Sequence, residues 1–328
     1  MVKFYFLLGI FLLAISANGQ SKLSVEGTRF LLDDQPFPFT GVSFFNAIYN
    51  SEFGKDRDKR LLWMDKFKSY GINVFRIWAQ WDNTRGFVDA CPTCSLYDLE
   101  GNLRSEHMEV LQNILTDAAE KDIVIELALF SFESLANYKS MGNQHADMVV
   151  KKITEALIPY RNLSFQIWNE YSERVLDYAE IVRSVDPNRL ITNAPGFAGR
   201  LGAPEQNNVM NYLSPHTTRQ WVGRHWEVAP REIDYLLYRY KKPVVDDEPA
   251  RNGTSHFGGP NAPTSPFDQI AQILAVWQIG GYVVYHHDMF QLGNDASTIP
   301  PSGVPDPEFN PYHHTVFRLL ADSERYMH

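Results

Sequence analysis

Cysteine is nearly absent from this chain: Cys91 and Cys94 are the whole complement in 328 residues. That excludes a scaffold built on disulfides and leaves one small local bridge, pinning a loop, as the expected state. A redox pair would open a helix after a strand, whereas Cys91-Pro92-Thr93-Cys94 lies in a polar stretch rich in Gly and Asp. A zinc site would need further ligands close by, and the flanking sequence places none. Positive charge is also short, with 30 Lys and Arg against 39 Asp and Glu and a net charge of −9. A polyanionic partner such as nucleic acid, which is held through Lys and Arg, is therefore not expected; a neutral one fits better. Beyond the first 20 residues no apolar run reaches the ~20 residues that cross a bilayer. There is no Gly-rich phosphate loop, no Pro- or Ser-rich linker and no internal repeat.

What is present begins with a leader. Lys3 gives a short positive end, residues 4–15 are almost wholly apolar, and Ala17-Asn18-Gly19 offers a small-residue cleavage point. The expectation is a signal peptide over 1–19 and an exported product, with no membrane association after its removal. A retained anchor is the alternative, disfavoured because the run is short for a span. Residues 20–328 then form one domain, and 44% hydrophobic residues suffice for a core.

Along that domain a short apolar, β-branched run is followed by a polar or aromatic loop and an amphipathic stretch, repeatedly. The strand candidates are 39–45, 73–81, 123–130, 163–168, 190–194, 212–216, 243–247 and 281–285. Helices are expected at 56–69, 105–121, 147–157, 174–185, 230–240 and 267–278, with only a weak helical signal in the Gly- and Pro-rich link 195–211. Strands alternating with helices imply parallel pairing, and this number of units points to a closed α/β architecture, the (β/α)8 TIM barrel, over an open doubly wound sheet. Residues 23–37, with turn signals at Glu26-Gly27 and Asp33-Asp34, are expected to form a hairpin under the barrel floor.

Two strings run a strand straight into a carboxylate: Phe165-Gln166-Ile167-Trp168-Asn169-Glu170 and Pro243-Val244-Val245-Asp246-Asp247-Glu248. In a barrel, chemistry sits at the carboxyl ends of the strands, so Glu170 and Glu248, at the fourth and seventh, can face each other across the mouth. A facing pair is what double-displacement sugar hydrolysis needs, one carboxyl as acid and the other as nucleophile.

The chain resembles the retaining glycoside hydrolases with β/α barrels, the clan that includes cellulases and β-mannanases. The resemblance rests on Asn169-Glu170, on Glu248, on Arg76 in Phe75-Arg76-Ile77-Trp78, and on the opening Phe30-Leu31-Leu32-Asp33-Asp34-Gln35-Pro36-Phe37. It implies Glu170 as the acid/base, Glu248 as the nucleophile, and Asn169 as the donor to the sugar 2-hydroxyl. Alternation puts Val74, Arg76 and Trp78 on one side of their strand, so Arg76 is the expected cation for Glu248. Neither an ion nor an organic cofactor is required. The partner is a carbohydrate; the sugar, the linkage, endo or exo attack and the oligomeric state stay open.

Simpler readings exist for each residue. Glu170 could cap the next helix, and Arg76 could be a structural ion pair. Asp246 and Asp247 rival Glu248, and alternation puts Asp246 on its face, one layer deeper; Glu248 is preferred because it lies at the strand end. The third strand offers no His where cellulase-like members often have one, and carries Glu126 deep within it. The eighth ends in Tyr285-His286-His287-Asp288 where a Trp commonly forms the sugar platform, so Tyr285 or His286 would have to supply that surface. His216 is a candidate to position the nucleophile or a sugar hydroxyl. Trp78, Trp81, Trp168, Trp221 and Trp226 fall near strand ends, where flat rings stack on pyranoses; Trp221 and Trp226 are the preferred contacts. Two other classes remain: a non-catalytic carbohydrate-binding barrel, and a metal-dependent hydrolase using His216, His286, His287 and Asp288.

Overall fold

The computed structural model describes residues 21–82, 91, 93–196, 199–218, 225–249, 264–287, 290 and 302–327. The leader at 1–19, Trp221 and Asp288 lie outside the described residues.

The chain opens on three short antiparallel strands, β1 (Leu23–Glu26), β2 (Arg29–Leu32) and β3 (Gln35–Pro36). The second turn needs left-handed backbone at two successive residues, and Asp33 and Asp34 supply it with φ of 52° and 62°. Short Asp side chains tolerate that region. The expected hairpin is thus present, with β3 added at its edge.

A parallel sheet follows: β4 (Thr40–Ser43), β5 (Val74–Trp78), β6 (Val124–Ser131), β7 (Leu163–Asn169), β8 (Leu190–Thr192), β9 (Val245–Asp246) and β10 (Tyr282–Tyr285), in the order β8-β7-β6-β5-β4-β10-β9. The remaining candidate, 212–216, carries the curl from β8 round to β9. Asn211 N–H donates to Ile191 C=O at 2.9 Å, Leu213 N–H to Pro243 C=O at 2.9 Å, and Val245 N–H to Leu213 C=O at 2.8 Å. The eight strand positions of a (β/α)8 barrel are therefore occupied in sequence order.

Helices cover the outside: α1 (Arg57–Ser69), α2 (Ser105–Ala119), α3 (Leu135–Met141), α4 (Asn143–Leu157), α5 (Val175–Val185), α6 (Pro204–Val209), α7 (His225–Tyr240), α8 (Pro266–Gln278), α9 (Pro311–Leu320) and α10 (Ser323–Tyr326). Two departures from expectation have local causes. Helix α7 begins at His225 rather than at Pro230, which sits inside it. Proline favours the first helical position, which is why the sequence signal puts the start at Pro230, but at the sixth position it forfeits one i→i−4 hydrogen bond. Helix α9 lies outside the expected helices, although its Val316, Phe317 and Leu320 form a buried face; Pro311 occupies its first turn and the Asn310 side chain accepts from His313 N–H at 2.9 Å.

Alternation along the strands divides the interior. Phe75 and Ile77 of β5 face the helices and belong to the main core. Val74 faces inward, with Phe30, Phe39, Val124, Tyr212, Val245, Tyr282 and Val284, in a second cluster that fills the barrel floor. Phe30, from β2, lies 4.4 Å from the Phe39 ring and meets Tyr212 and Tyr282 edge-on at 5.1 and 5.0 Å. The N-terminal sheet thus plugs the bottom of the barrel and leaves the other end for polar side chains.

Phe30 is fully buried, so Phe30→Ala should destabilise the fold by about 3–5 kcal/mol. Thermal or denaturant unfolding reads this, and an unchanged midpoint would show that the plug contributes nothing.

Candidate active site

Arg76 reaches into the barrel from β5 and is fully buried. Its Nη1 donates to Glu248 Oε1 at 3.1 Å. Its Nη2 donates to Gln166 Oε1 at 2.9 Å and to Asn169 Oδ1 at 2.5 Å, and lies 3.0 Å from Asp247 Oδ2. Beneath it, Nε is 3.6 Å from Glu126 Oε1. A single guanidinium therefore faces Glu126, Asp247 and Glu248, all at most 2% exposed.

That imbalance sets the protonation of the deeper groups. Burial pushes the Asp247 carboxyl well above the ordinary carboxylate range, and the charges of Glu248 and Glu126 add to this against the opposing pull of Arg76. Burial likewise raises Glu126, although Arg76 and the Tyr212 hydroxyl, donating at 2.6 Å, pull the other way. Arg76 itself is raised: burial works against its charge, but Asp247, Glu248 and Glu126 outweigh it. The cation is thus permanent.

Glu170 follows β7 in left-handed backbone, with φ of 59°. The turn is held from β8's continuation, since Ala194 N–H donates to Trp168 C=O at 3.0 Å and Tyr171 N–H to Ala194 C=O at 3.2 Å. This frame turns the Glu170 carboxyl back over the barrel mouth, where its side chain is 11% exposed. His216, at the end of the 212–216 segment, sits between the two glutamates. Its Nδ1 is 3.6 Å from Glu170 Oε1, and its Nε2 is 3.5 Å from both Glu248 Oε1 and Asp247 Oδ1. One oxygen of each glutamate and a ring nitrogen of His216 all lie within 4.8 Å of one another.

His286, at the end of β10, contacts the nucleophile candidate from the other side, with Nε2 3.8 Å from Glu248 Oε2 and Nδ1 3.1 Å from Ser43 Oγ. Trp78 lays its ring 4.8 Å from the Arg76 guanidinium and 4.5 Å from the Phe45 ring. Its faces are spent on those neighbours and the residue is fully buried, so it roofs the cation instead of offering a platform. A cavity of about 850 Å³ opens beside Glu170, walled by Phe132, Tyr171, Pro195, Arg200 and Gln206.

The structure brings together Arg76, Asn169, Glu170, His216, Glu248 and His286. It sets others apart. Tyr285 lies on the outer face of β10, its ring against Phe317 and Phe290 and its hydroxyl 2.9 Å from His313 Nδ1; the residue after it, not Tyr285, faces the mouth. Trp168 packs its ring among Phe130, Tyr138 and Tyr171 beneath the helices. Trp226 stands in the first turn of α7 with its ring 4.9 Å from that of His225. His287 is buried against Tyr312 and His313, and burial drives its pKa well below the usual value. Of the alternative metal set, His216 and His286 thus lie at Glu248 while His287 lies against Tyr312 and His313, and Asp288 is outside the described residues. Among the described residues, the group spaced to hold a metal ion is Glu170, His216 and Glu248. Cys91 and Cys94 do form the local disulfide, and Cys94 C=O accepts from Trp81 N–H at 2.8 Å, tying that loop to the end of β5.

Asp246 also departs from expectation. It faces outward, accepting from Thr217 Oγ1 at 2.9 Å and from Gln272 Nε2 of α8 at 2.7 Å. Asp247 holds the inward place that alternation from Val245 gives it, and Glu248 also reaches Arg76 because regular pairing of β9 stops at Asp246 and the chain bends over 247–248. Gln166 and Glu133 escaped the sequence reading. A polar side chain at the centre of an apolar strand, as Gln166 is, signals a buried hydrogen-bond network; Glu133 gave no such cue in its short turn.

No protein-family model matches the chain, and no curated protein matches it either. Solved structures do. It is similar to a glycoside hydrolase family 5 structure from Bacteroides vulgatus, at 16% identity over 83% of this chain and 62% of that one, with a TM-score of 0.64. An endo-1,4-β-mannanase from Rhizomucor miehei aligns at 14% identity over 93% of this chain and 99% of its own, TM-score 0.61. A β-mannanase from the blue mussel Mytilus edulis aligns at 14% over 94% and 98%, TM-score 0.58. The chain spans 62% and 55% of the length of two Bacteroides vulgatus structures. At these identities the likeness shows the fold, a (β/α)8 barrel shared with family 5 glycoside hydrolases.

The raised Asp247 pKa has a thermodynamic consequence. A carboxyl whose folded pKa exceeds its unfolded value stabilises the fold fully in acid, and that contribution is lost as pH rises from the ordinary carboxylate range toward the folded value. Asp247→Asn should therefore flatten the loss of stability as pH rises above the ordinary carboxylate range, by at most about 1.4 kcal/mol per pH unit. Unfolding midpoints across that range give the comparison; parallel wild-type and variant profiles would mean that Asp247 is ionised in the fold.

Proposed function

We propose that this chain is an exported retaining β-glycoside hydrolase, acting on a β-linked polysaccharide or oligosaccharide by double displacement. The observation that carries the reading is the separation of Glu170 and Glu248, whose nearest oxygens lie within 4.8 Å. Retaining enzymes hold their carboxyls ~5–5.5 Å apart, whereas inverting ones leave ~6.5–9.5 Å for a water. Export is supported by the apolar leader at residues 4–15.

In the first step Glu248, its charge balanced by Arg76 at 3.1 Å, attacks the anomeric carbon. The bond to the glycosidic oxygen breaks while Glu170 delivers its proton to that oxygen. The leaving sugar departs through the cavity beside Glu170. In the second, Glu170 takes a proton from water, whose oxygen displaces Glu248 from the anomeric carbon and restores both carboxyls. Two inversions give net retention. His216 and His286 border Glu248 on either side and limit how far the nucleophile can turn.

A metal-assisted reading is favoured by one observation, the spacing of Glu170, His216 and Glu248. The Arg76 contact weighs against it, because the guanidinium already occupies the cation position next to Glu248. Chelation separates the two: the double displacement is indifferent to it, whereas a metal-dependent hydrolase loses activity and regains it with zinc.

A panel of β-glucans, mannans, xylans and aryl β-glycosides identifies the sugar. Proton NMR early in turnover should then show the β-anomer first; an α-product would exclude double displacement. Glu170→Gln should lower kcat/KM by about 10²–10⁴-fold on substrates with poor leaving groups. Glu248→Gly should abolish turnover on the same substrates and regain part of it with azide, and near-normal activity of that variant would remove Glu248 from the role.

A further inference from the structure

Ser43 is the last residue of β4 and is fully buried. Val42 before it faces the helices, so alternation turns the Ser43 side chain into the barrel. Register places it between two functional strands: Ser43 pairs with Arg76 on β5, and Val42 pairs with Tyr285 on β10, which makes His286 its neighbour on the other side. Those two neighbours face the two oxygens of Glu248. Arg76 Nη1 lies 3.1 Å from Oε1, and His286 Nε2 lies 3.8 Å from Oε2. The Ser43 hydroxyl forms its hydrogen bond with His286 Nδ1, at 3.1 Å.

A hydroxyl and a neutral imidazole can share such a bond in two ways, with the ring nitrogen as acceptor or as donor. The surroundings choose between them. Arg76 has only donors, so it offers the Ser43 proton no acceptor on the β5 side, whereas Nδ1 can take it. At the far end of the ring, a bare Nε2 would set its lone pair against the carboxylate of Glu248. Both ends are met when Ser43 donates to Nδ1 and the ring carries its proton on Nε2. The ring is also confined, with His286 only 6% exposed and the Phe45 ring edge-on to it at 5.3 Å. At 3.8 Å the Nε2 to Oε2 contact is longer than a hydrogen bond, and a shift of ~1 Å by the carboxylate closes it.

We propose that Ser43 is a positioning residue that fixes His286 in the tautomer whose Nε2–H faces Glu248 Oε2. The role rests on the hydrolase reading for Glu248 as nucleophile, and it deepens that reading by assigning the attack to the oxygen opposite the one that Arg76 holds. Oε2 forms the bond to the anomeric carbon in the first step, and the same bond breaks when water displaces it in the second. The negative charge that then returns to Oε2 meets the Nε2–H, which keeps its proton throughout.

The test uses the full chain carrying nitrogen-15 histidine, in which the His286 signals are those that His286→Gln lacks among the ten histidines. With the ring neutral, nitrogen–proton correlation spectra should show Nε2 protonated and Nδ1 accepting. Ser43→Ala should replace that pattern with exchange between the two tautomers, and Ser43→Thr, which keeps the hydroxyl, should restore it. On a glycoside that the wild type hydrolyses, Ser43→Ala should lower kcat about two- to tenfold and change KM less than about twofold. Ser43→Thr should recover most of the loss, and unfolding midpoints verify that each variant folds. A wild-type ring protonated on Nδ1, or a tautomer that Ser43→Ala leaves unchanged, would overturn the proposal, as would an unaltered kcat in a variant whose tautomer has changed. A wild type that hydrolyses no glycoside, with its His286 tautomer still governed by Ser43, would instead overturn the hydrolase reading and leave the tautomer assignment standing.

Discussion

One buried cation organises the mouth of this barrel. Taking Arg76 out of water costs several kcal/mol unless its donors are met, and they are met by side chains from several strands: Gln166 and Asn169 from β7, with Asp247 and Glu248 just past β9. Removing the guanidinium would leave Glu126, Asp247 and Glu248 packed together without a counter-charge. Removing any one carboxylate would do less, because the others remain. The network is therefore asymmetric, and its dependence on Arg76 explains why elements distant in sequence converge on one point. Breaking such buried pairs by removing one member costs about 3–5 kcal/mol in other proteins.

The same barrel separates stability from chemistry along its axis. At the floor, Phe30, Phe39, Tyr212 and Tyr282 bury apolar surface and ask for little polar compensation. One layer up, the Tyr212 hydroxyl turns to Glu126 at 2.6 Å, and Gln166 bridges upward to Asp247 at 2.9 Å. Only at the strand ends do carboxylates reach a partly exposed level, with Glu170. Burial drives the deep acids, Asp247 and Glu126, toward the neutral form, and neighbouring carboxylates add to this at Asp247.

Much of this was legible in the sequence, and the exceptions have physical causes. Strand positions, the barrel and the paired glutamates follow from period-2 alternation and from the rule that function sits at strand ends. Arg76 followed from alternation as well, because an inward Arg in an apolar strand demands carboxylates. Alternation held for Asp247 and His286, which share the inward face with Val245 and Val284, and failed at Glu248, which the bend after Asp246 also brings inward. The tryptophans misled for a different reason. Trp78 and Trp168 sit near strand ends as a sugar platform would, but a large flat ring also fills the gap between a barrel wall and its helices. Periodicity does not distinguish a ring that faces solvent from one pressed against Arg76 or Tyr138. Glu133 was invisible because its partner, Asn169, comes from the neighbouring strand.

The charge of the mouth bears on what can enter it. Glu126, Glu133, Glu170, Asp247 and Glu248 gather around the buried Arg76 guanidinium, so an anionic group arriving there would meet an excess of carboxyl oxygens and a cation already engaged. A neutral polyol meets no such barrier, because each hydroxyl can donate to a carboxylate while accepting from Asn169 or a histidine. That selectivity follows from donor and acceptor counting and not from shape. It agrees with the net charge of −9 over the whole chain, which lowers the local concentration of anions before they reach the site. A positively charged sugar would be drawn in by the same field. Under the proposed function the carboxyl excess would therefore disfavour acidic polysaccharides more than neutral ones, and discrimination among the neutral ones would fall to contacts with individual hydroxyls.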